Sequence, residues 1–171
     1  MDLNLGNWTF NEHTYFNHND KSHGNAVFLS NFRNMLAMEI GDSLWLARGT
    51  PRAWLEQGKR IALRAAPTYF GRLSYEIVSD VDNGQITATV SMPTRQARPV
   101  GNAWRTGADW WGAPGGPSRQ PGQVLLRLRH PKSAPIKTVT VNGKPWTEFN
   151  KDKETITLKG LTGQVTVTAQ Y

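Results

Sequence analysis

The sequence predicts a mostly β protein: an antiparallel β-sandwich or jelly roll of about eight short strands, with one N-terminal amphipathic helix. Three observations carry this. Apolar residues alternate with polar ones along several short segments. Turn signals separate those segments at intervals of roughly 8–15 residues. No helical pattern lies between them, which argues against a parallel sheet built from βαβ units.

Three regions follow. Residues 1–25 form a polar arm, rich in Asn and without periodicity, and read as loop. Residues 26–41 read as an amphipathic helix. Leu29, Phe32, Leu36 and Ile40 recur at helical spacing, Met35 stands beside them, and Gly41 is the expected C′ stop. Residues 42–171 form the β-sandwich domain. Its first strand is Leu44-Trp45-Leu46-Ala47, broken by Gly49-Thr50-Pro51, with a single turn over Arg52–Leu55. Ile61 and Leu63 mark a second strand, and Leu73, Tyr75 and Ile77 a third. Asp82-Asn83-Gly84 turns the chain into Ile86, Ala88 and Val90. Val124, Leu126 and Leu128 begin the second half. Val139 and Val141 lead into Asn142-Gly143, the strongest hairpin signal in the chain. Ile156 and Leu158, then Val165, Val167 and Ala169, complete the set.

Composition narrows the function classes. At 171 residues the chain is one domain's worth. Its 7 Trp, 6 Phe and 4 Tyr exclude a disordered chain. No apolar run approaches the ~18–20 residues of a spanning helix. The absence of cysteine removes disulfides, cysteine-based zinc sites and thiol nucleophiles. Met1-Asp2-Leu3-Asn4 shows neither the basic nor the apolar region of a signal peptide, so none is expected. The net charge of +7 and pI near 10.0 raise anionic partners. The basic residues are scattered, densest at Arg48/Arg52, Lys59/Arg60/Arg64 and Arg127/Arg129/Lys132, and alternate along strands as a solvated face does.

One stretch breaks the pattern. Residues 93–122 form a Trp-, Pro- and Gly-rich insertion with three of the seven tryptophans and six of the sixteen glycines. It is far longer than a hairpin loop, and long loops inside compact domains are usually functional or disordered. Trp104, Trp110 and Trp111 argue against disorder.

Other residues carry a resemblance. They are Phe32-Arg33-Asn34-Met35-Leu36, Leu44 to Leu55, Gly58-Lys59-Arg60-Ile61, and Ala66-Pro67-Thr68-Tyr69-Phe70-Gly71. Leu126-Arg127-Leu128-Arg129-His130-Pro131 and Val139-Thr140-Val141-Asn142-Gly143 complete them. From about Phe28 to Tyr171 the chain resembles the C-terminal end of bacterial six-hairpin, (α/α)6-type glycoside hydrolase-like proteins. There the last barrel helix is followed by a β-sandwich packed on the helical barrel. The resemblance implies a carbohydrate context and a bacterial parent protein that is periplasmic or secreted. It also implies that the chain is the end of a larger architecture. The barrel, which holds that family's catalytic carboxylates, is not in this sequence, so no catalytic residue carries over. The Trp-rich insertion departs from the family pattern.

The insertion is the main candidate for ligand contact. Sugar rings stack their C–H faces on aromatic rings, and Trp104, Trp110 and Trp111 offer that surface. Asp109 and Arg105 stand beside them to bond hydroxyls, with Asn102 and Arg119 near. Covering a sheet face and forming a dimer contact are the competing readings. In the arm, Glu12, His13, His18, Asp20 and His23 are the one metal-ligating set to consider. The five-residue His spacing matches no zinc motif, so no metal and no cofactor is expected. His130 reads as structural. A glycosidase needs two carboxyls about 5–10 Å apart. Asp109 is the first to test, Glu39 and Asp42 read as solvated, and the sequence pairs none of them.

The leading expectation is therefore a carbohydrate-associated β-sandwich in glycan contact or structural support. Its partner would be a polysaccharide or oligosaccharide, with a homodimer or helical-barrel partner alongside. A small free-standing glycoside hydrolase is the alternative, and an anion- or nucleic-acid-binding module the third.

Overall fold

The computed structural model describes residues 2–4, 9–11, 22–93 and 120–171. The chain opens with a short hairpin, β1 (Asp2–Asn4) and β2 (Thr9–Asn11), followed by α1 (Ser22–Leu36). Next come β3 (Ala37–Ile40), β4 (Ser43–Leu46), a 3-10 turn (Arg52–Leu55), β5 (Arg60–Thr68), β6 (Gly71–Asp80) and β7 (Gln85–Ser91). After the insertion follow β8 (Gln123–Arg127), β9 (Thr138–Val141), β10 (Lys144–Trp146), β11 (Phe149–Asn150), β12 (Thr155–Leu158) and β13 (Gln164–Gln170).

Two sheets form the sandwich. The larger has the order β10-β9-β13-β7-β6-β5, and the smaller β11-β12-β8-β4-β3. The protein is thus a β-sandwich of about eleven strands. Five strands are not expected from sequence: β1 and β2, which pair within the arm read as loop, and β3, β10 and β11 of the sandwich; each runs four residues or fewer.

Alternation sets what each strand buries. Along β8 the side chains of Val124 and Leu126 point inward, while Gln123, Leu125 and Arg127 are half-buried on the outer face. Along β7, Ile86, Ala88 and Val90 do the same, and β13 answers with Val165, Val167 and Ala169. These residues join Leu44, Leu46, Leu73, Ile77, Ile156 and Leu158 in a single core between the sheets. The outer face of the large sheet is polar, with Thr87 hydrogen-bonded to Thr168 at 3.2 Å across the pair.

Both hairpin signals hold. At Asn142-Gly143 both residues take positive φ, 50° and 76°, as the tight β9–β10 turn requires. After β6, a 3-10 turn over Val81–Asn83 ends in Gly84 at φ 72°, and β7 returns beside β6. The edge strand β5 carries a bulge between Leu63 and Ala66, and Pro67 and the exposed Arg60 and Arg64 blunt it further.

The helix corrects the expectation. It spans Ser22–Leu36 and not 26–41, because Ala37–Ile40 leaves the helix to pair with Ser43–Leu46. Gly41, at φ 58°, turns this hairpin and does not cap the helix. The last helical carbonyls instead meet donors from the sandwich. Leu36 O accepts from Ala47 N–H at 2.8 Å and from the buried Tyr75 hydroxyl at 2.9 Å; Met35 O accepts from Gly49 N–H at 3.1 Å. A Cβ on Gly49 would sit 3.1 Å from Met35 Cγ and 3.2 Å from its Cα, tighter than most side-chain contacts, so this closure favours glycine. A second departure is that β4 and β8 pair in parallel. Their connection runs through the strands of the other sheet, which removes the need for a crossover helix.

Glu39 is also corrected: it is not solvated. Its side chain is 7% exposed and takes two bonds of 2.8 Å from the Arg33 guanidinium. Arg33 also reaches the carbonyls of Ala37 and Pro67, and Tyr69 N–H bonds the Glu39 carboxylate. This clamp joins the helix end, β3 and the β5–β6 turn. Burial alone would raise the Glu39 carboxyl. The Arg33 bonds and charge and the Tyr69 N–H outweigh it and hold the pKa below its ordinary value. The clamp therefore stabilises the fold above the unfolded carboxyl's pKa of ~4.3, and is lost as pH falls through the lower folded value. Glu39→Gln is expected to lower stability by about 1–2 kcal/mol near neutral pH. The gap between variant and wild type should close below pH ~4, read from denaturant midpoints across a pH series; a gap independent of pH would overturn this.

Candidate functional site

Two clusters stand out among the described residues. The first is aromatic. Helix α1 places Phe28 and Phe32 one turn apart, with ring centroids 6.0 Å apart and planes 25° from parallel. Phe32 meets Trp54, carried by the Arg52–Leu55 turn, at 6.1 Å and 56°. Behind them the start of β5 supplies Ile61 and Ala62, and together with Leu36, Lys59 and Arg60 they line an open cleft of about 390 Å³. Lys59 is fixed at the rim by the Ala53 carbonyl at 2.9 Å and Glu56 at 2.7 Å, and Arg60 reaches Glu76 at 3.3 Å. Two aromatic rings with a cationic rim can stack a flat apolar face and bond polar groups at its edge. On this side of α1, Phe28, Leu29 and Phe32 are 42%, 63% and 39% exposed.

The second cluster is cationic. Two of the basic patches that are remote in sequence, Arg48/Arg52 and Arg127/Arg129, converge here. Arg52, Arg127 and Arg129 share Glu154, whose side chain is 7% exposed. Arg52 binds it with both terminal nitrogens at 2.6 and 2.9 Å. Arg129 Nε stands 3.5 Å and Arg127 Nη2 3.9 Å from the same carboxylate. The arginines also hold backbone: Arg52 donates to His130 O at 2.7 Å, Arg127 to Arg48 O and Arg129 to Thr50 O, each at 3.2 Å. Arg48 lies over the Trp45 ring at 5.0 Å. Burial and the neighbouring Arg129, Arg52 and Arg48 lower the Arg127 pKa, with Glu154 acting against them. His130 sits at the rim. Its Nδ1 accepts from Lys132 N–H at 3.1 Å and Ala134 N–H at 3.4 Å, and its ring packs on Tyr171 at 5.0 Å. Burial, then the charges of Lys132 and Arg52, lower its pKa.

The residues singled out from sequence fall mostly elsewhere. Trp104, Arg105, Asp109, Trp110 and Trp111 lie outside the described residues, as do Glu12, His13, His18 and Asp20. His23 lies in the first turn of α1. Pro93 and Gln120, at the two ends of the insertion, line one cavity of about 200 Å³ with Val124, Leu158 and Leu161, so its two roots stand together. The described carboxylates that form ion pairs each face a cation: Glu39 faces Arg33, Glu56 Lys59, Glu76 Arg60 and Glu154 Arg52. Among the described residues no three His, Asp or Glu gather as a metal set. Trp54 and Phe32 belong to segments legible in the sequence, but nothing local pairs them. Glu154 sits in a turn where a solvated acid is the ordinary expectation.

Fold and geometry define a β-sandwich domain with an aromatic cleft at one edge and an arginine cluster on the small sheet. No protein-family model matches the chain, and no curated protein matches it.

The pair at Glu154 yields a direct prediction. Glu154→Gln removes the one carboxylate acting on Arg127 among the described residues and leaves three guanidiniums facing one another. The expected loss is about 2–3 kcal/mol of unfolding free energy by chemical denaturation. A change under about 0.5 kcal/mol, the level of a solvated surface pair, would contradict the assignment.

Proposed function

We propose that this protein is a carbohydrate-associated β-sandwich domain that contacts glycans, similar in role to the C-terminal domain of a six-hairpin glycoside hydrolase. The observation that carries the reading is the cleft between Phe32 and Trp54, with Lys59 and Arg60 on its rim. Its volume of about 390 Å³ lies within the range of small-molecule sites. The aromatic faces suit the C–H face of a sugar ring, and the two cations suit its hydroxyls or acidic substituents. The Trp-rich insertion adds a second aromatic surface in the sequence, with Trp104, Trp110 and Trp111 as contact residues and Asp109 and Arg105 beside them.

A second reading, structural support of a partner, is favoured by α1. Phe28, Leu29 and Phe32, at i, i+1 and i+4, expose an apolar stripe along one helix, and such patches mark association surfaces. A helical partner or a second copy of this chain would cover it.

Binding to a panel of neutral and acidic polysaccharides, by affinity electrophoresis and calorimetry, separates the two. Trp54→Ala is expected to weaken glycan binding about fivefold or more, since a stacked aromatic contributes about 1 kcal/mol and upward. Trp110→Ala and Trp111→Ala report on the insertion, and circular dichroism checks that each variant folds. Glycan binding that survives all three changes would refute aromatic contact. Absence of binding to every glycan, together with a dimer in light scattering, would leave the supporting role.

A further inference from the structure

The arginine cluster holds more charge than its one acid neutralises. Arg52, Arg127 and Arg129 stand around Glu154, and Arg48 adds its charge beside Arg127, a formal excess of three positive charges. The excess comes with free donors. Arg127 and Arg129 each commit Nη1 to a backbone carbonyl. Neither Nε has a hydrogen-bond acceptor, although both atoms are buried. No hydrogen bond among the described residues engages the Nη2 of either, and both side chains are about a quarter exposed. Each guanidinium is therefore fixed through Nη1 and buried at Nε, with Nη2 left unengaged by a hydrogen bond. Two Nη2 groups held this way can each give one bond to a two-oxygen acceptor. The Arg52–Glu154 pair is complete in itself, so the surplus belongs to Arg127, Arg129 and Arg48.

We propose that this cluster binds a single oxyanion, a carboxylate or sulfate group carried by an acidic sugar. The assignment to a sugar rests on the glycan-contact reading; the oxyanion site stands without it. The cluster is compact and bounded by Glu154, whereas a nucleic acid wants a stripe of cations along its backbone. Arg60, on the other sheet, is already committed to Glu76.

Inorganic sulfate is the first probe. The arginine Nε–H signals are followed by nuclear magnetic resonance while chloride is exchanged for sulfate at constant ionic strength. Saturable shifts of the Arg127 and Arg129 signals, with Arg60 unmoved, are expected. Among the described residues the Arg48 guanidinium bonds the Met38 sulfur and lies on Trp45, so Arg48→Gln removes a charge and leaves the network around Glu154 intact. It should weaken sulfate about fivefold, the effect of one neighbouring charge. Shifts that fail to saturate, or an Arg48→Gln variant that binds as wild type does, would overturn the site. Galacturonic acid, galactose 6-sulfate and galactose then distinguish carboxylate, sulfate ester and neutral sugar. Competition by either acidic sugar supports the assignment. Competition by duplex DNA alone would overturn it. Trp54→Ala leaves sulfate binding unchanged if the two sites are separate, so loss of the aromatic cleft and loss of the oxyanion site are read independently.

Discussion

Much of one end of this sandwich hangs on the carboxylate of Glu154. Its backbone is left-handed, at φ 53°, a conformation that disfavours a non-glycine residue. Burial of its charge adds a further cost. Both are offset because the residue closes three contacts at once. Its carboxylate takes the fork of Arg52, its carbonyl accepts Leu128 N–H at 3.1 Å, and its side chain stands against Arg129. The Arg52–Leu55 turn, the end of β8 and the turn before β12 thereby meet at one point. That turn carries Trp54 on its other side, so the aromatic cleft inherits its position from a buried ion pair in the neighbouring cluster.

The helix end works by the same logic. A helix leaves its last carbonyls without intrahelical partners. Here the strand-to-loop passage Ala47–Gly49 supplies N–H donors to Leu36 and Met35, and Tyr75 from the other sheet supplies a hydroxyl. Burial holds the Tyr75 pKa well above its ordinary value, so the hydroxyl remains a donor throughout the neutral range. The helix is thus fastened by its C-terminal end, backed by the Arg33–Glu39 clamp, while Val27, Phe28 and Leu29 stay exposed. The anchored end holds Phe32 against Trp54 at the cleft.

Local signals located most of the strands. The period-two runs at Leu73–Ile77, Ile86–Val90, Val124–Leu128 and Val165–Ala169 all bury the residues that alternation marks. Asn142-Gly143 specifies its hairpin through two positive φ values that few other residue pairs adopt. The helix boundary was not legible. Leu36 and Ile40 keep helical spacing, yet Ala37–Ile40 gains a full set of partners by pairing with Ser43–Leu46, and tertiary pairing overrides the local period. Glu39 was hidden for the same reason: its partner Arg33 faces it only after the chain changes from helix to strand.

The sequence by itself determined the class: alternation and turn chemistry act over a few residues, so they survive without knowledge of the rest of the chain. Tertiary structure decided the sites. Arg48 and Arg127 are 79 positions apart, as are Thr50 and Arg129, and they meet because β4 lies parallel to β8 in the small sheet. Cations that alternate along a strand look like a solvated face in one dimension. Strand order and register alone bring them around a single buried carboxylate, and charge at that proximity is a property of the fold.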